Sequence, residues 1–416
     1  MRPVRSGSAR PAAAPERDVQ CRRDAGPSQR ASAAAAKAVR AQAKWPSSAT
    51  NAASAERHPF LASVGHPSGP EDSRPKQWHS RRRPRARLAS TTALNPASVH
   101  IPVTRANGIT EVIAAPGIGG FDLQSSGIIA GQASAFNLAG WTMEEMQISR
   151  SVAMVLNWPS IQTSSFDFST FRIKEKPYAD AKKEYDKSIN QLSDWFTRAR
   201  HYAQAKEKGS PGLFVRDLKL ESLVPVVQGK LPLLVVADDA RDIRNAVDFC
   251  TKQNLKMILA SGAESWKVKD LLKEKKIAVI LGPTERLPEQ EDTPYDKPMT
   301  QPAELNAAGI PFAFSSFGTS FSRRLPQYAG TAVGYGLSHD QALKAVMLNA
   351  AQIFGLADQL GTIEQGKLAN LIVTTGDPLE MQTEVRYLFI KGQLSSTDNK
   401  HKELYEQFRK RPAPAR

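Results

Sequence analysis

Cysteine is nearly absent: Cys21 and Cys250 are the two in 416 residues. Two thiols this far apart give neither a disulfide framework nor a thiolate metal site. Long apolar runs are missing too, and nothing approaches the roughly 18 residues of a membrane-spanning helix. The opening M-R-P-V-R-S-G-S-A-R is polar throughout and lacks the apolar core of a secretory signal. Histidine is scarce. Between residues 96 and 358 only His100, His201 and His339 occur, and the pattern H-x-H occurs nowhere. A G-x-S-x-G elbow, which would expose a serine nucleophile, is also missing.

Negative charge is short in one region only. Residues 1–95 carry 18 of the 56 Lys/Arg but 6 of the 41 Asp/Glu, which leaves the remainder nearly balanced at 38 against 35. A neutral body with one basic arm does not have the charge of a nucleic-acid-binding domain. The arm, residues 1–95, is rich in Ala, Arg, Pro and Ser without apolar periodicity. It reads as disordered, because it cannot bury enough surface to offset its ordering entropy. The run R-R-R-P-R-A-R at 81–87 reads as part of that solvated arm rather than as an RNA-binding or targeting tag.

From about Ser98 the character changes. V-H-I-P-V-T-R gives a helical turn leading to an apolar strand, Ile109 to Ala115. Residues 178–207 place Ala181, Tyr185, Ile189, Leu192, Trp195 or Phe196, Ala199 and Tyr202 at spacings of three and four, the mark of an amphipathic helix. After Leu231 apolar strands and helices alternate. L-P-L-L-V-V is followed by A-R-D-I-R-N-A-V-D-F-C, then K-M-I-L-A, S-W-K-V-K-D-L-L-K, I-A-V-I-L-G-P, Q-P-A-E-L-N-A-A-G and I-P-F-A-F-S-S. Such βαβ units predict a buried parallel sheet and fit the second half of a (β/α)8 barrel better than an open sheet. G-K-L-A-N-L-I-V-T-T and V-R-Y-L-F-I-K-G-Q alternate like antiparallel strands, and K-E-L-Y-E-Q-F-R-K closes the chain as a polar helix.

The helix A-L-K-A-V-M-L-N-A-A-Q-I-F-G (342–355) and the Gly-punctuated G-T-I-E-Q-G-K-L-A-N-L-I-V (361–373) resemble the closing segment of the amidohydrolase superfamily. With A-L-N-P-A-S-V-H-I-P-V-T-R-A-N-G-I-T and I-I-A-G-Q-A-S-A-F-N-L-A-G-W-T-M-E-E-M they resemble its imidazolonepropionase-like, metal-dependent hydrolases. The resemblance implies an α/β fold, a (β/α)8 TIM-type barrel at residues 96–358, incomplete at its N-terminal side. It also implies a small β-rich composite domain at 359–394, before a C-terminal helix and tail at 395–416. The other half of that small domain is expected from an N-terminal segment, which residues 1–95 do not supply. Their composition resembles out-of-frame translation of GC-rich DNA in place of a family member's first strands. Similar proteins are often exported to the periplasm; this chain's own location stays open.

The resemblance also implies a chemistry: cleavage of carbon–nitrogen bonds in amides or cyclic amides by zinc or another divalent metal. Imidazoles and carboxylates converging at the barrel mouth would hold the metal, which would lower the pKa of a bound water. This sequence departs from that pattern. At the fifth-strand position stands Val236, followed by Ala237, Asp238 and Asp239. The sixth is Ala260 followed by Ser261, and the catalytic-Asp position holds Ser315 and Ser316. No catalytic residue, metal ligand set or cofactor is read from it. Asp238, Asp239, Ser261, Ser315 and Ser316 are the candidate pocket, with Asp238 equally placed to cap the next helix. The stretch P-G-I-G-G-F-D-L-Q-S-S-G-I-I-A-G-Q reads as a loop over the barrel mouth, with Gln132, Ser134 and Asn137 as lid residues. His339 is expected at a helix start capped by Ser338 or Asp340. Gly361–Lys367 has the skeleton of a phosphate loop, but Leu368 replaces the hydroxyl residue and a strand follows in place of a helix. The expected functions are therefore a C–N hydrolase, a metal-less barrel binding a small polar ligand or a partner subunit, or a frame-shifted product. The expected partners are a small polar molecule or a further copy, with no nucleic acid and no membrane.

Overall fold

The computed structural model describes residues 85–118, 127–167, 172–209, 215–288 and 290–411. The basic arm up to residue 84 lies outside them. From Arg85 the chain is packed: its N–H donates to the Ile129 carbonyl, and Ala86, Ala89 and Leu94 are buried. Helix α1 (His100–Arg105) and strand β1 (Glu111–Ala114) stand where the periodicity places them. Strand β2 (Ile129–Asn137), a short helix α2 (Met143–Met146) and strand β3 (Gln147–Asn157) follow. Strand β2 corrects the sequence reading. Gln132 pairs with Met154 of β3, and Ser134 and Asn137 pair with Ala114 and Glu111 of β1, so all three belong to a strand rather than to a lid, and residues 119–126 lie outside the described ones. The Gly, Ala and Ser side chains that suggest a loop here are what let β2 sit beneath a covering layer.

Strands β4 (Ser164–Asp167) and β5 (Arg172–Glu175) form a separate hairpin. Helix α3 (Tyr178–Lys208) buries Leu192, Phe196, Ala199 and Tyr202 on one face, as their spacing requires. Helix α4 (Leu218–Val227) starts at Asp217, whose side chain accepts from the Lys219 and Leu220 N–H groups. The alternating half follows: β6 (Leu233–Ala237), α5 (Ala240–Lys252), β7 (Met257–Ser261), α6 (Lys269–Glu274), β8 (Ala278–Leu281), α7 (Lys297–Ala307) and β9 (Phe312–Phe314). Helices α8 (Leu325–Gly334), α9 (His339–Val346) and α10 (Leu348–Ile353) lead to β10 (Leu371–Thr374), β11 (Val385–Ile390) and β12 (Gln393–Ser395). Helix α11 (Lys400–Arg409) ends the described chain.

Seven strands form one sheet in the order β1-β2-β3-β6-β7-β8-β9. The first three pair antiparallel, and β3 through β9 run parallel. Among the described residues the sheet curls as a half-barrel, matching the C-terminal side of the expected barrel. A separate antiparallel sheet, β10-β11-β12, is the expected small β-rich unit.

The two faces of the half-barrel differ in kind. Outward, Leu233, Val235, Leu259, Val279, Leu281, Phe312 and Phe314 pack against α3 to α9 in the main core. Inward, the lining is smaller: Ala133, Ala135, Ala153, Ala260 and Ala313 beside Val155, Leu234, Ile258 and Ile280. Small side chains leave room for a cover, formed by Ala351, Leu356, Leu360 and Leu368. The closing helix expected over 342–355 is broken at Met347 (φ −123°, ψ −84°). That break takes the chain from the outer layer, where Ala342 and Ala345 pack, to the inner one, where Ala351 packs. Gly361 then takes φ +94°, and a Cβ there would come within 2.9 Å of the Leu348 backbone, so the first glycine of the closing signature is sterically required.

Candidate functional site

In a barrel of this kind chemistry sits beyond the C-terminal ends of the parallel strands. Here Ser261 is the last residue of β7, and Asp238 and Asp239 and Ser315 and Ser316 stand on the loops just after β6 and β9. Parallel register makes them neighbours: Val236 pairs with Ala260 and Ala237 with Ser261.

Their polar atoms serve the loops themselves. Asp238 Oδ1 accepts from the Ala263 N–H at 3.1 Å, and its carbonyl accepts from the Glu264 N–H at 2.9 Å. Asp238 thus ties one strand-end loop to the next and does not cap the helix that follows it. Asp239 occupies the N-cap position of α5 but makes no capping bond; its Oδ1 accepts from Gln290 Nε2 at 3.4 Å. The cap comes from Glu264, whose Oε2 accepts from the Ala240 N–H at 2.8 Å while Lys267 Nζ donates to Oε1 at 2.6 Å. Burial raises the Glu264 pKa, but those hydrogen bonds outweigh it and hold the carboxyl below its usual range. No local signal in the sequence points to Glu264, since its capping partner is a strand and a helix away.

Ser261 lies in the left-handed region (φ 72°), followed by Gly262 at φ +56°. The turn is held from α7 by buried Gln301, whose Nε2 donates to the Gly262 carbonyl at 2.8 Å and to Ser265 Oγ at 2.6 Å. Ser315 Oγ accepts from the Phe317 N–H at 3.2 Å, and Ser316 Oγ donates to the Gly318 carbonyl at 2.9 Å. His339 begins α9 with Ser338 as its cap, as expected, and its Nε2 lies 2.7 Å from Asp377 Oδ2.

A cavity of about 950 Å3 opens between the inner face of the half-barrel and the small sheet. Of the five candidate pocket residues, Ser315 and Ser316 line it; Asp238, Asp239 and Ser261 do not. The expected lid residues stand apart from it as well. Gln132 Nε2 donates to the Ala86 carbonyl at 3.1 Å, and Ser134 Oγ to the Arg150 carbonyl at 2.7 Å. Asn137 is fully buried, with Oδ1 accepting from Asn370 Nδ2 at 2.7 Å and its own Nδ2 without a partner among the described residues.

The polar end of the cavity centres on residues that sequence reasoning passes over, Glu111 and Asn370. Asn370 Nδ2 also donates to Glu111 Oε2 at 3.1 Å, Thr110 Oγ1 donates to the same oxygen, and the Lys391 N–H donates to Asn370 Oδ1 at 2.9 Å. Burial pushes the Glu111 carboxyl above its usual pKa, and the Thr110 and Asn370 hydrogen bonds offset only part of that rise. The signal for Asn370 lies in the closing signature, whose A-N-L-I-V puts one amide ahead of an apolar strand.

A divalent metal needs several imidazoles, thiolates or carboxylates around one point. The inner face offers Val236, Ala260, Ile280 and Ala313, which carry no donor atoms. No group of three His, Cys, Asp or Glu converges among the described residues. This donor set does not fit a divalent ion.

Comparison with known proteins follows the fold. The amidohydrolase family profile matches residues 234–395, from β6 to β12. An amidohydrolase from Thermotoga maritima MSB8 superposes with a TM-score of 0.62 at 25% identity, over 74% of this chain and 77% of that one. An adenosine deaminase from Xanthomonas campestris with bound Zn reaches a TM-score of 0.34 at 17% identity, over 51% of this chain and 60% of its own, too distant to bear on the site. No curated protein matches.

Proposed function

We propose that this chain, an amidohydrolase-superfamily protein by its fold and its matched segment, is a catalytically degenerate member that binds a ligand or partner without metal-assisted hydrolysis. Its ancestry is with hydrolases of non-peptide carbon–nitrogen bonds in amides or cyclic amides. Fold alone does not carry that activity over.

One observation supports the reading above the others. Where the parallel strands reach the rim, the inward side chains are Val236, Ala260 and Ala313, and the nearby Asp238 carboxylate holds the Ala263 amide. Among the described residues this rim offers no donor set that would hold a Lewis acid beside a water. A cavity of about 950 Å3 remains, at the upper end of the range in which proteins enclose small molecules, roughly 300–1,000 Å3.

The test is a thermal melt of the purified chain with EDTA, with zinc, and with neither. The three melts are expected to coincide, and no hydrolysis of a cyclic amide such as dihydrouracil is expected under any of them. The double variant Val236→His, Ala260→His is also expected to stay inactive, because two imidazoles do not complete a site without further ligands. Zinc-dependent stabilisation accompanied by hydrolysis would establish the hydrolase reading instead.

A further inference from the structure

Three consecutive parallel strands are entered through lysine: Lys230 precedes β6, Lys256 precedes β7, and Lys275 and Lys276 precede β8. This is the N-terminal end of those strands, opposite the rim where Asp238 and Ser315 stand. A second cavity, of about 730 Å3, opens there, and all four lysines line it. Val152, Ile258 and Phe354 give it an apolar wall, and the hydroxyl residues Ser149, Ser151 and Thr251 border it. No carboxylate lines it among the described residues.

The backbone gathers these ammonium groups. Ile258 pairs with Ala278, so two residues earlier Lys256 and Lys276 stand at matching positions on adjacent chains, which lie about 4.8 Å apart in a sheet. A Cβ at Gly229 would lie 3.9 Å from Lys256 Cε, so the Lys256 stem runs beside the turn that ends in Lys230. Glu274 holds Lys275 at 2.9 Å, but Lys230, Lys256 and Lys276 have no ion-pair partner among the described residues. Ser151 Oγ is buried and likewise unpartnered among them. Like charges gathered without a counter-charge repel one another, and a bound anion reverses the sign of that interaction.

Lys276 also sits where the backbone disfavours lysine. Helices α5, α6 and α7 end in the same turn: the Leu255, Ile277 and Ile310 N–H groups donate to the Cys250, Leu272 and Leu305 carbonyls at 2.9, 2.9 and 3.0 Å. The residue before each donor is left-handed, namely Asn254 (φ 50°), Lys276 (φ 54°) and Gly309 (φ +73°). Gly and Asn are the usual occupants of that position. A lysine there is strained, and what it adds is a side chain that lines the cavity.

The rest of the chain is poorly suited to neutralise the cluster. The basic arm is no counter-charge, since residues 1–95 hold 18 Lys/Arg against 6 Asp/Glu. Residues 119–126 join β1 to β2 at the opposite end of the sheet, where the Asn157 N–H donates to the Ile128 carbonyl.

We propose that this second cavity is an anion site for a small molecule bearing a di- or triphosphate group. Lysine binds phosphate as a point charge, whereas planar, bidentate recognition of a carboxylate calls for arginine. No arginine lines the cavity among the described residues. A terminal phosphate carries roughly −2 at neutral pH, so a single phosphate leaves part of the lysine charge unmatched and a chain of two or three matches it. The volume lies within the range of small-molecule sites, roughly 300–1,000 Å3. This site is separate from the cavity under the small sheet and does not depend on whether the barrel hydrolyses anything.

The probe is inorganic tripolyphosphate, titrated into the full chain by isothermal calorimetry at fixed ionic strength without divalent metal. Saturable one-to-one binding is expected, weakened about tenfold or more by Lys256→Met combined with Lys276→Met. Lys252→Met combined with Lys273→Met, two exposed lysines outside the cavity, should change it less than about twofold. Lys276→Gly separates binding from folding: it relieves the left-handed strain, so Tm should rise while affinity falls. Should the double methionine variant fail to fold, Lys276→Gly still decides the question. Unchanged affinity in Lys276→Gly would overturn the proposal, as would absence of saturation at millimolar tripolyphosphate. Equal weakening by the Lys252 and Lys273 changes would reduce the binding to general surface charge and overturn it too. Sulfate binding as tightly at equal ionic strength would mean an adventitious ion only. A single-stranded oligonucleotide that binds more tightly per phosphate than tripolyphosphate would give the surface to nucleic acid instead.

Discussion

Asn370 and Asn137 meet side chain to side chain, Nδ2 to Oδ1 at 2.7 Å, across 233 residues of sequence. The contact fastens the closing signature to the end of β2. Through Glu111, which pairs with Asn137 in the ladder and accepts from the same Asn370 amide, it fastens β1 too. The small sheet is thus joined to the half-barrel by a buried polar knot as well as by the apolar contacts of Leu388 and Ile390.

Asn370→Ala leaves a buried carboxyl, a buried amide and the Lys391 N–H without their shared partner. Leaving such groups unsatisfied costs about 1–3 kcal/mol each, with incomplete additivity. The expected loss is therefore about 2–4 kcal/mol in urea unfolding at neutral pH. A loss under 0.5 kcal/mol would show that the knot contributes nothing net.

How much of this could be read from the chain depends on the kind of contact. Helix α3 and strands β6 to β9 follow from apolar periodicity, because their burial is set by residues close in sequence. Strand β2 does not, since Gly131, Ala133, Ser134 and Ala135 carry no strong alternation and their burial depends on a cover that arrives with Ala351 and Leu360. The break at Met347 is equally silent: an unbroken helical pattern crosses it, and only the need to pass around the β9 edge divides it. That Val236 and Ala260 end neighbouring strands is legible from the βα alternation, because strand ends follow from local apolar runs. The roles of Asp238 and Glu264 are not, because each serves a loop from a different βα unit.

Glu264 supplies a pH-dependent part of stability. Its folded pKa is depressed by the Ala240 and Lys267 hydrogen bonds despite burial, so its contribution is present above the unfolded value of about 4.3 and disappears as pH falls through the lower folded value. Glu264→Gln should cost about 1–2 kcal/mol at pH 7, the usual worth of a charged helix cap. Urea unfolding from pH 7 to pH 3 should show the gap between variant and parent closing below about pH 4. A gap that stays constant across that range would contradict the assignment.

Cys250 is 2% exposed, and burial pushes its thiol pKa up to about 12. The thiolate is the reactive form, so iodoacetamide at pH 8 should leave Cys250 unmodified in the folded chain and alkylate it fully in urea. Peptide mapping distinguishes it from Cys21. Rapid modification of Cys250 under native conditions would place the α5 packing in error.

The central claim is that this half-barrel, similar in fold to an amidohydrolase, offers no donor set for a divalent metal among its described residues. The most direct measurement is the metal content of the full-length chain by inductively coupled plasma mass spectrometry, after purification without chelators and dialysis against zinc-free buffer. The account predicts less than about a tenth of an equivalent of zinc, manganese, iron, cobalt or nickel per chain, since the inner rim offers Val236, Ala260 and Ala313 where ligands are required. One or two tightly held equivalents of any of these metals, retained through dialysis, would contradict it.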